Sequence, residues 1–195
     1  MIFYIFIIFL SINIKLINIY IMIFKDISNF SNISNYLPIL NAIIITDMFV
    51  LTRVVFRQIK IKSLNEWYNK YGLSAVLTDV LSIMIGIILT RFIYPFCFKK
   101  FNLLFFCVLA VIIQVTHDLT FAYFFNIIPL GKSRMLDTFK RYSKEVGFTI
   151  LVADAMMMIS SIIIGSLLCN LSININIIIL IVLLYIIPYL LYSIE

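Results

Sequence analysis

The sequence predicts an all-α, polytopic bundle of about six transmembrane helices, and three observations lead there. Apolar residues fill 64% of the 195 positions and charged residues 12%, against roughly half and a quarter in ordinary soluble domains. Apolar runs long enough to cross about 30 Å of hydrocarbon recur along the chain. Lysine and arginine gather between those runs, mainly in alternate connectors. A water-soluble fold could not hide so much apolar surface. The formal charge of +6 is spread between spans and not gathered into a patch with interleaved aromatics, so no nucleic-acid partner is expected. The anionic lipid surface supplies the counter-charge. Ile, Phe, Asn, Lys and Tyr abound as an AT-rich coding sequence would give, and short matches built from those letters carry little weight.

The spans are placed at about 1–24, 38–57, 72–95, 102–128, 147–169 and 174–194 in one membrane domain. The first is interrupted by Ser11, Lys15 and Asn18, which share one helical face that can turn into a bundle. It has neither a basic leader region nor a small-residue cleavage site, which argues against a cleaved signal peptide. The last span is the most apolar, and Pro188 is expected to kink it. Between the fourth and fifth spans, 129–146 places Met135, Phe139, Tyr142 and Val146 at helical spacing among five basic residues. That pattern predicts an amphipathic helix lying in the membrane surface, or docked on a partner. Its Gly131-Lys132-Ser133 echoes a phosphate-binding loop but lacks the required earlier glycine, since Asn126 stands there.

Orientation follows from the basic residues. Arg57, Lys60, Lys62 and Lys70 follow the second span, and Lys132, Arg134, Lys140, Arg141 and Lys144 follow the fourth. The positive-inside rule puts these connectors and both termini in the cytoplasm. Asn-x-Ser sequons at Asn29, Asn32 and Asn170 fall in connectors on the other side. Trp67, Tyr68 and Tyr71 stand where amphipathic rings favour the headgroup level. Arg57, Lys60, Lys62, Lys132, Arg134, Lys140, Arg141 and Lys144 are thus the candidate contacts for lipid or a partner.

Four acids fall inside spans, one to a helix: Asp47, Asp79, Asp118 and Asp154. A carboxylate at bilayer depth costs on the order of 3 kcal/mol, so each needs a partner or a function. Asp79 stands seven residues beyond Gly72, Asp154 seven beyond Gly147, Asp47 ten before Arg57 and Asp118 eleven before Pro129. At about 1.5 Å per residue all four lie at similar depth, in the cytoplasmic half. Gln114 and His117 share a helix face with Asp118 and complete the expected polar layer. Small and hydroxyl residues, Ser82, Gly86 and Thr90 with Asp79 and Ser161 and Gly165 with Asp154, line the faces that would serve it. Arg53 is one available cation, and Arg91 lies too far toward the outer leaflet. Protonated carboxyls bonded to Gln, Ser or Thr would be the cheaper solution.

Tyr68-x-Lys70-x-Gly72 before Asp79 matches Tyr142-x-Lys144-x-x-Gly147 before Asp154. Duplication of a helical hairpin would give this match, and so would chance in so biased a sequence. No catalytic residue, metal or cofactor is expected. His117 is the one histidine, and Cys97, Cys107 and Cys169 lack the spacing of a zinc or redox site. Cys97 and Cys169 could pair near the outer ends of their spans, but buried free thiols fit better.

The run Gln114-Val-Thr-His117-Asp118-Leu-Thr-Phe121, followed by Pro129-Leu-Gly131-Lys132 and the Tyr142 to Asp154 stretch, resembles uncharacterised multi-pass membrane proteins of large nucleocytoplasmic DNA viruses. The resemblance covers roughly residues 40–170. It implies a structural or assembly component of a viral inner membrane, touching capsid or other membrane proteins or further copies of itself. Two alternatives stay open. One is a proton or cation conductor using the Asp layer, the other a lipid-modifying enzyme with His117 and Asp118 as acid and base.

Overall fold

A computed structural model describes residues 23–193. The expected span at 1–24 lies outside the described residues but for its last two positions. Seven α-helices follow a short 3-10 turn at Ile33–Asn35. They are α1 (Tyr36–Val55), α2 (Lys62–Tyr71), α3 (Leu73–Cys97), α4 (Leu103–Ile127), α5 (Arg134–Val146), α6 (Thr149–Leu168) and α7 (Ile173–Leu191). Among the described residues α1, α3, α4, α6 and α7 are long and apolar enough to cross a membrane, and they stand at the five expected places. The chain is an all-α, multi-pass membrane protein.

Sequence explains where the elements begin and end. Asn102, Ser133 and Ser172 cap α4, α5 and α7 by accepting hydrogen bonds from Phe105, Leu136 and Ile175. Gly72 and Gly147 turn the chain from the short helices α2 and α5 into the long helices α3 and α6. Their φ values of +48° and +62° favour glycine. Outward-facing Leu77, Leu81, Ile85 and Leu89 on α3, and Ile178, Ile181 and Tyr185 on α7, are exposed and suit a lipid surface.

The long helices pack as a ring in the order α1, α3, α4, α6 and back to α1, with α7 laid on the outside against α1. Ile39, Ile43, Ile83, Ile87, Phe106, Met158 and Ile162 fill its centre. Asn41 reaches from α1 to the Asn176 carbonyl of α7 at 2.8 Å, and Asn176 returns its amide to the end of α6, 3.1 Å from the Leu168 carbonyl. The two short helices lie together across one end of the ring.

The halves α1–α3 and α4–α6 follow one plan. Aligning Asp79 with Asp154 pairs Ile83 with Met158, Gly86 with Ser161, Ile87 with Ile162, Thr90 with Gly165, Arg91 with Ser166 and Tyr94 with Cys169, and all twelve are buried. Aligning Asp47 with Asp118 pairs Ile39 with Ala110, Ile43 with Gln114 and Val54 with Phe125, again all buried. Most of these pairs are apolar on both sides and turn the same way inward; the match is looser between α1 and α4, where buried Asn41 and Thr46 align with exposed Ile112 and His117.

At the end away from the short helices, the segment Lys25–Asn32 lies over the bundle as a strap. Repeat-related residues hold it by its carbonyls. Arg91, fully buried, donates to Asn29 and Asn32 and packs 4.1 Å from the Tyr36 ring, while the Ser166 hydroxyl donates to the Lys25 carbonyl at 2.6 Å. Arg91 serves this end and not the Asp layer, as its depth in the sequence predicts.

Candidate functional site: a carboxylate layer beneath two surface helices

The layer starts from α2. Leu64, Trp67, Tyr68 and Tyr71 recur at helical spacing, so the helix is amphipathic and sinks one side into the bundle end. Trp67 and Tyr68 are buried. The Trp67 indole donates to Asp79 Oδ2 at 3.1 Å, and the Tyr68 hydroxyl stands 3.3 Å from both Asp79 Oδ2 and Asp47 Oδ1. Asp47 and Asp79, distant in sequence, thus meet at one phenol. Burial, then the Asp47 and Asp79 carboxylates, push the Tyr68 hydroxyl well up, so it stays a donor.

The second half is built alike but is less closed. Asp118 accepts from the Gln114 amide at 2.8 Å and meets His117 Nδ1 at 3.1 Å. Asp154, within electrostatic reach of Asp118 and Asp79, is half-buried. Among the described residues no hydrogen bond reaches its carboxylate. Tyr142 of α5 approaches the same group. Burial, then Asp154, Asp79 and Glu145, push its hydroxyl up. Among the described residues, Asp47 Oδ2, Asp118 Oδ2, Gln114 Oε1 and the Ser161 hydroxyl are buried without partners.

Several expectations for these residues need correction. Arg53 does not serve Asp47; it is exposed, donates to Gln58 at 3.1 Å and lies over Phe49. His117 is not inside the layer, because its side chain is 46% exposed and stacks on Phe121 at the bundle's outer surface. Adjacent residues on a helix point about 100° apart, so Asp118 can turn inward while His117 cannot. The hydroxyl faces do not reach the acids either: Thr90 bonds back to the Gly86 carbonyl of its own helix at 2.8 Å. Cys97, Cys107 and Cys169 are free thiols, the first exposed and the others buried. Among the described residues no three His, Cys, Asp or Glu side chains gather closely enough to hold a metal.

Above the acids, α2 and α5 are braced to one another. Glu145 accepts from the Lys62 and Ser63 amides, each at 2.9 Å, and from the Ser63 hydroxyl at 2.5 Å, so a side chain of α5 caps the start of α2. Arg141 donates to Glu66 at 2.5 and 3.3 Å. Tyr71 and Thr138 share a hydrogen bond of 3.1 Å, and the Trp67 and Phe139 rings lie 4.5 Å apart. The Ser63 hydroxyl, with the two amides, holds the Glu145 carboxyl below its ordinary range, and Arg141 does the same for Glu66. Of the basic contact candidates, Arg57, Lys60, Lys62, Lys132, Arg134 and Lys144 are exposed. Arg141 is engaged by Glu66, and Lys140 donates to the Ile128 carbonyl.

The fold and the layer together define a polytopic α-helical membrane protein with a carboxylate cluster near its basic face. No family model, curated protein or solved structure matches the chain.

Proposed function

We propose that the protein is a structural or assembly component of a membrane. Its basic face lies in the cytoplasm, where α2 and α5 offer a stiff platform to capsid or other membrane proteins. Following the resemblance of the 114–154 region, the membrane is the inner membrane of a large DNA virus. The observation that carries this reading is the brace. Two short surface helices joined by Glu145, the Glu66–Arg141 pair and the Tyr71–Thr138 bond form a fixed surface edged by exposed Lys60, Lys62, Lys132 and Arg134. A loop that served only to connect spans would not need such ties.

The conductor reading draws support from one oxygen each of Asp47 and Asp118 that has no partner among the described residues. Against it, Ile39, Ile43, Ile83, Ile87 and Ile162 crowd the ring beyond the acids, and among the described residues the Thr90 hydroxyl there bonds back to its own helix and not to an acid. Replacing Lys60, Lys62, Lys132 and Arg134 by Glu tests the platform. With Arg57, Lys70, Lys140, Arg141 and Lys144 kept, the orientation read by cysteine labelling and the melting should be those of the wild type, while incorporation into particles should fall sharply. Wild-type incorporation would sink the assembly reading. Purified protein in vesicles should leak no more protons or K⁺ than empty vesicles, and a leak abolished by Asp79→Asn would move the assignment to a conductor.

A further inference from the structure

The Tyr68 hydroxyl has one proton and two carboxylate neighbours. Its oxygen is 3.3 Å from Asp47 Oδ1 and 3.3 Å from Asp79 Oδ2, and a phenol carries a single O–H. Shared between two acceptors, that one proton makes at best a weak three-centre contact, whereas both contacts become full hydrogen bonds when one carboxyl brings a proton of its own. The surrounding donors decide which. Asp79 Oδ2 also accepts from the Trp67 indole, so an ionised Asp79 has two donors. Asp47 is completely buried, its Oδ2 has no partner among the described residues, and Arg53 bonds to Gln58 instead. A charge on Asp47 would be unmet in low dielectric, whereas a neutral carboxyl leaves a single bare carbonyl oxygen, the smaller penalty.

We propose that Asp47 is a proton-binding site: its protonated Oδ1 donates to the Tyr68 oxygen, and the Tyr68 hydroxyl donates to the ionised Asp79. The ligand is a proton taken from the basic face, the nearer side, since beyond Asp47 the ring is crowded by Ile39, Ile43, Ile83 and Ile87. The proton also works as a latch. When it leaves, two charges compete for one hydroxyl, and the burial of Tyr68 and Trp67, which seats α2, loses part of its support. Rising pH therefore loosens the seat of α2 and acid keeps it closed.

Other titratable groups on the packed elements do not supply the missing charge. From α2 come Tyr68 and Glu66, from α3 Asp79, from α4 Asp118 with His117 bound to it, from α5 Tyr142 and Glu145, from α6 Asp154, and from just beyond α7 Tyr192. Among the described residues none is a cation in ion-pair contact with Asp47.

The test uses the full chain in lipid nanodiscs, with Trp67, the one tryptophan, as a native reporter. At neutral pH the infrared spectrum should contain the carbonyl band of a protonated carboxylic acid, and Asp47→Asn should remove the component that Asp47 contributes, read as a loss of intensity against the wild type. Trp67 emission in the wild type should shift to the red as pH rises. In Asp47→Asn it should keep the low-pH spectrum throughout, because the amide donates to Tyr68 in place of the proton. Should Asp47→Asn not fold, Tyr68→Phe reads the same bond: its acid band should persist but move to the frequency of a less hydrogen-bonded carboxyl. A band untouched by Asp47→Asn, an emission titration in that variant equal to the wild type's, or an unshifted band in Tyr68→Phe would each overturn the proposal.

Discussion

Gly86 lies where α3 meets α4 and α6. A Cβ built there would stand 2.7 Å from the Met158 methyl and 3.1 Å from Gln114 Oε1, both of which face the core. Gly165 differs, since its Cβ would meet Ile39 and Ala42 at 3.5 and 3.6 Å, ordinary contact distances. Gly165→Ala should accordingly melt within a degree or two of the wild type. Gly86→Val should destabilise by about 1–3 kcal/mol through overpacking, read as a lower melting temperature in the same detergent. Equal melting of the two variants would show that α3 leaves room for a side chain at Gly86. At this scale the sequence was half legible. The acids stood out because charge inside an apolar run is rare, and Gln114 beside Asp118 was visible at helical spacing. Trp67 and Tyr68 as partners were not, because they belong to another helix and meet Asp79 only after the turn at Gly72 reverses the chain.

The short helices show a different limit of sequence reading. α5 was legible from the spacing of Met135, Phe139, Tyr142 and Val146. α2 carries the same periodicity in Leu64, Trp67, Tyr68 and Tyr71 over only ten residues, too short to separate from a loop with interfacial aromatics. Its stability comes from tertiary ties more than from propensity, with Glu145 supplying the cap that its own Ile61 cannot. Because the Glu145 and Glu66 carboxyls are held below their ordinary range, the ties they make are present at neutral pH. They are lost as pH falls through those lowered values. Deuterium uptake at the Lys62 and Ser63 amides should therefore rise on strong acidification. In Glu145→Gln it should be high already at neutral pH and respond little to acid. Unchanged uptake in that variant would mean the cap does not hold α2. The two ends of α2 thus answer pH in opposite senses, the start released by acid and the Tyr68 end by base.

On the scale of the whole molecule, the ring requires the basic connectors 58–71 and 130–146 to share a face, with 25–35 and 98–102 on the other. Cysteines introduced at Lys60 and Lys132 should label only after the membrane is permeabilised, and one at Lys100 should label from outside intact cells. Labelling of both basic connectors from outside would invert the proposed orientation. The five spans were legible because hydrocarbon thickness sets a length that apolar runs must meet. The ring order was not, because Asp47, Asp79, Asp118 and Asp154 mark depth without marking neighbours. The shared plan of the halves carries a consequence for how such a chain can arise and be divided. Each half crosses the membrane twice and ends on the side where it began, so a copy joined behind the first inherits the same orientation with no added helix. The joint at 98–102 has only to turn a corner, which the Tyr94 hydroxyl pins by accepting from the Asn102 amide at 2.9 Å. Two fragments separated at that corner would insert the same way up, each exposing the edge that the other completes, α1 for α6 and α3 for α4.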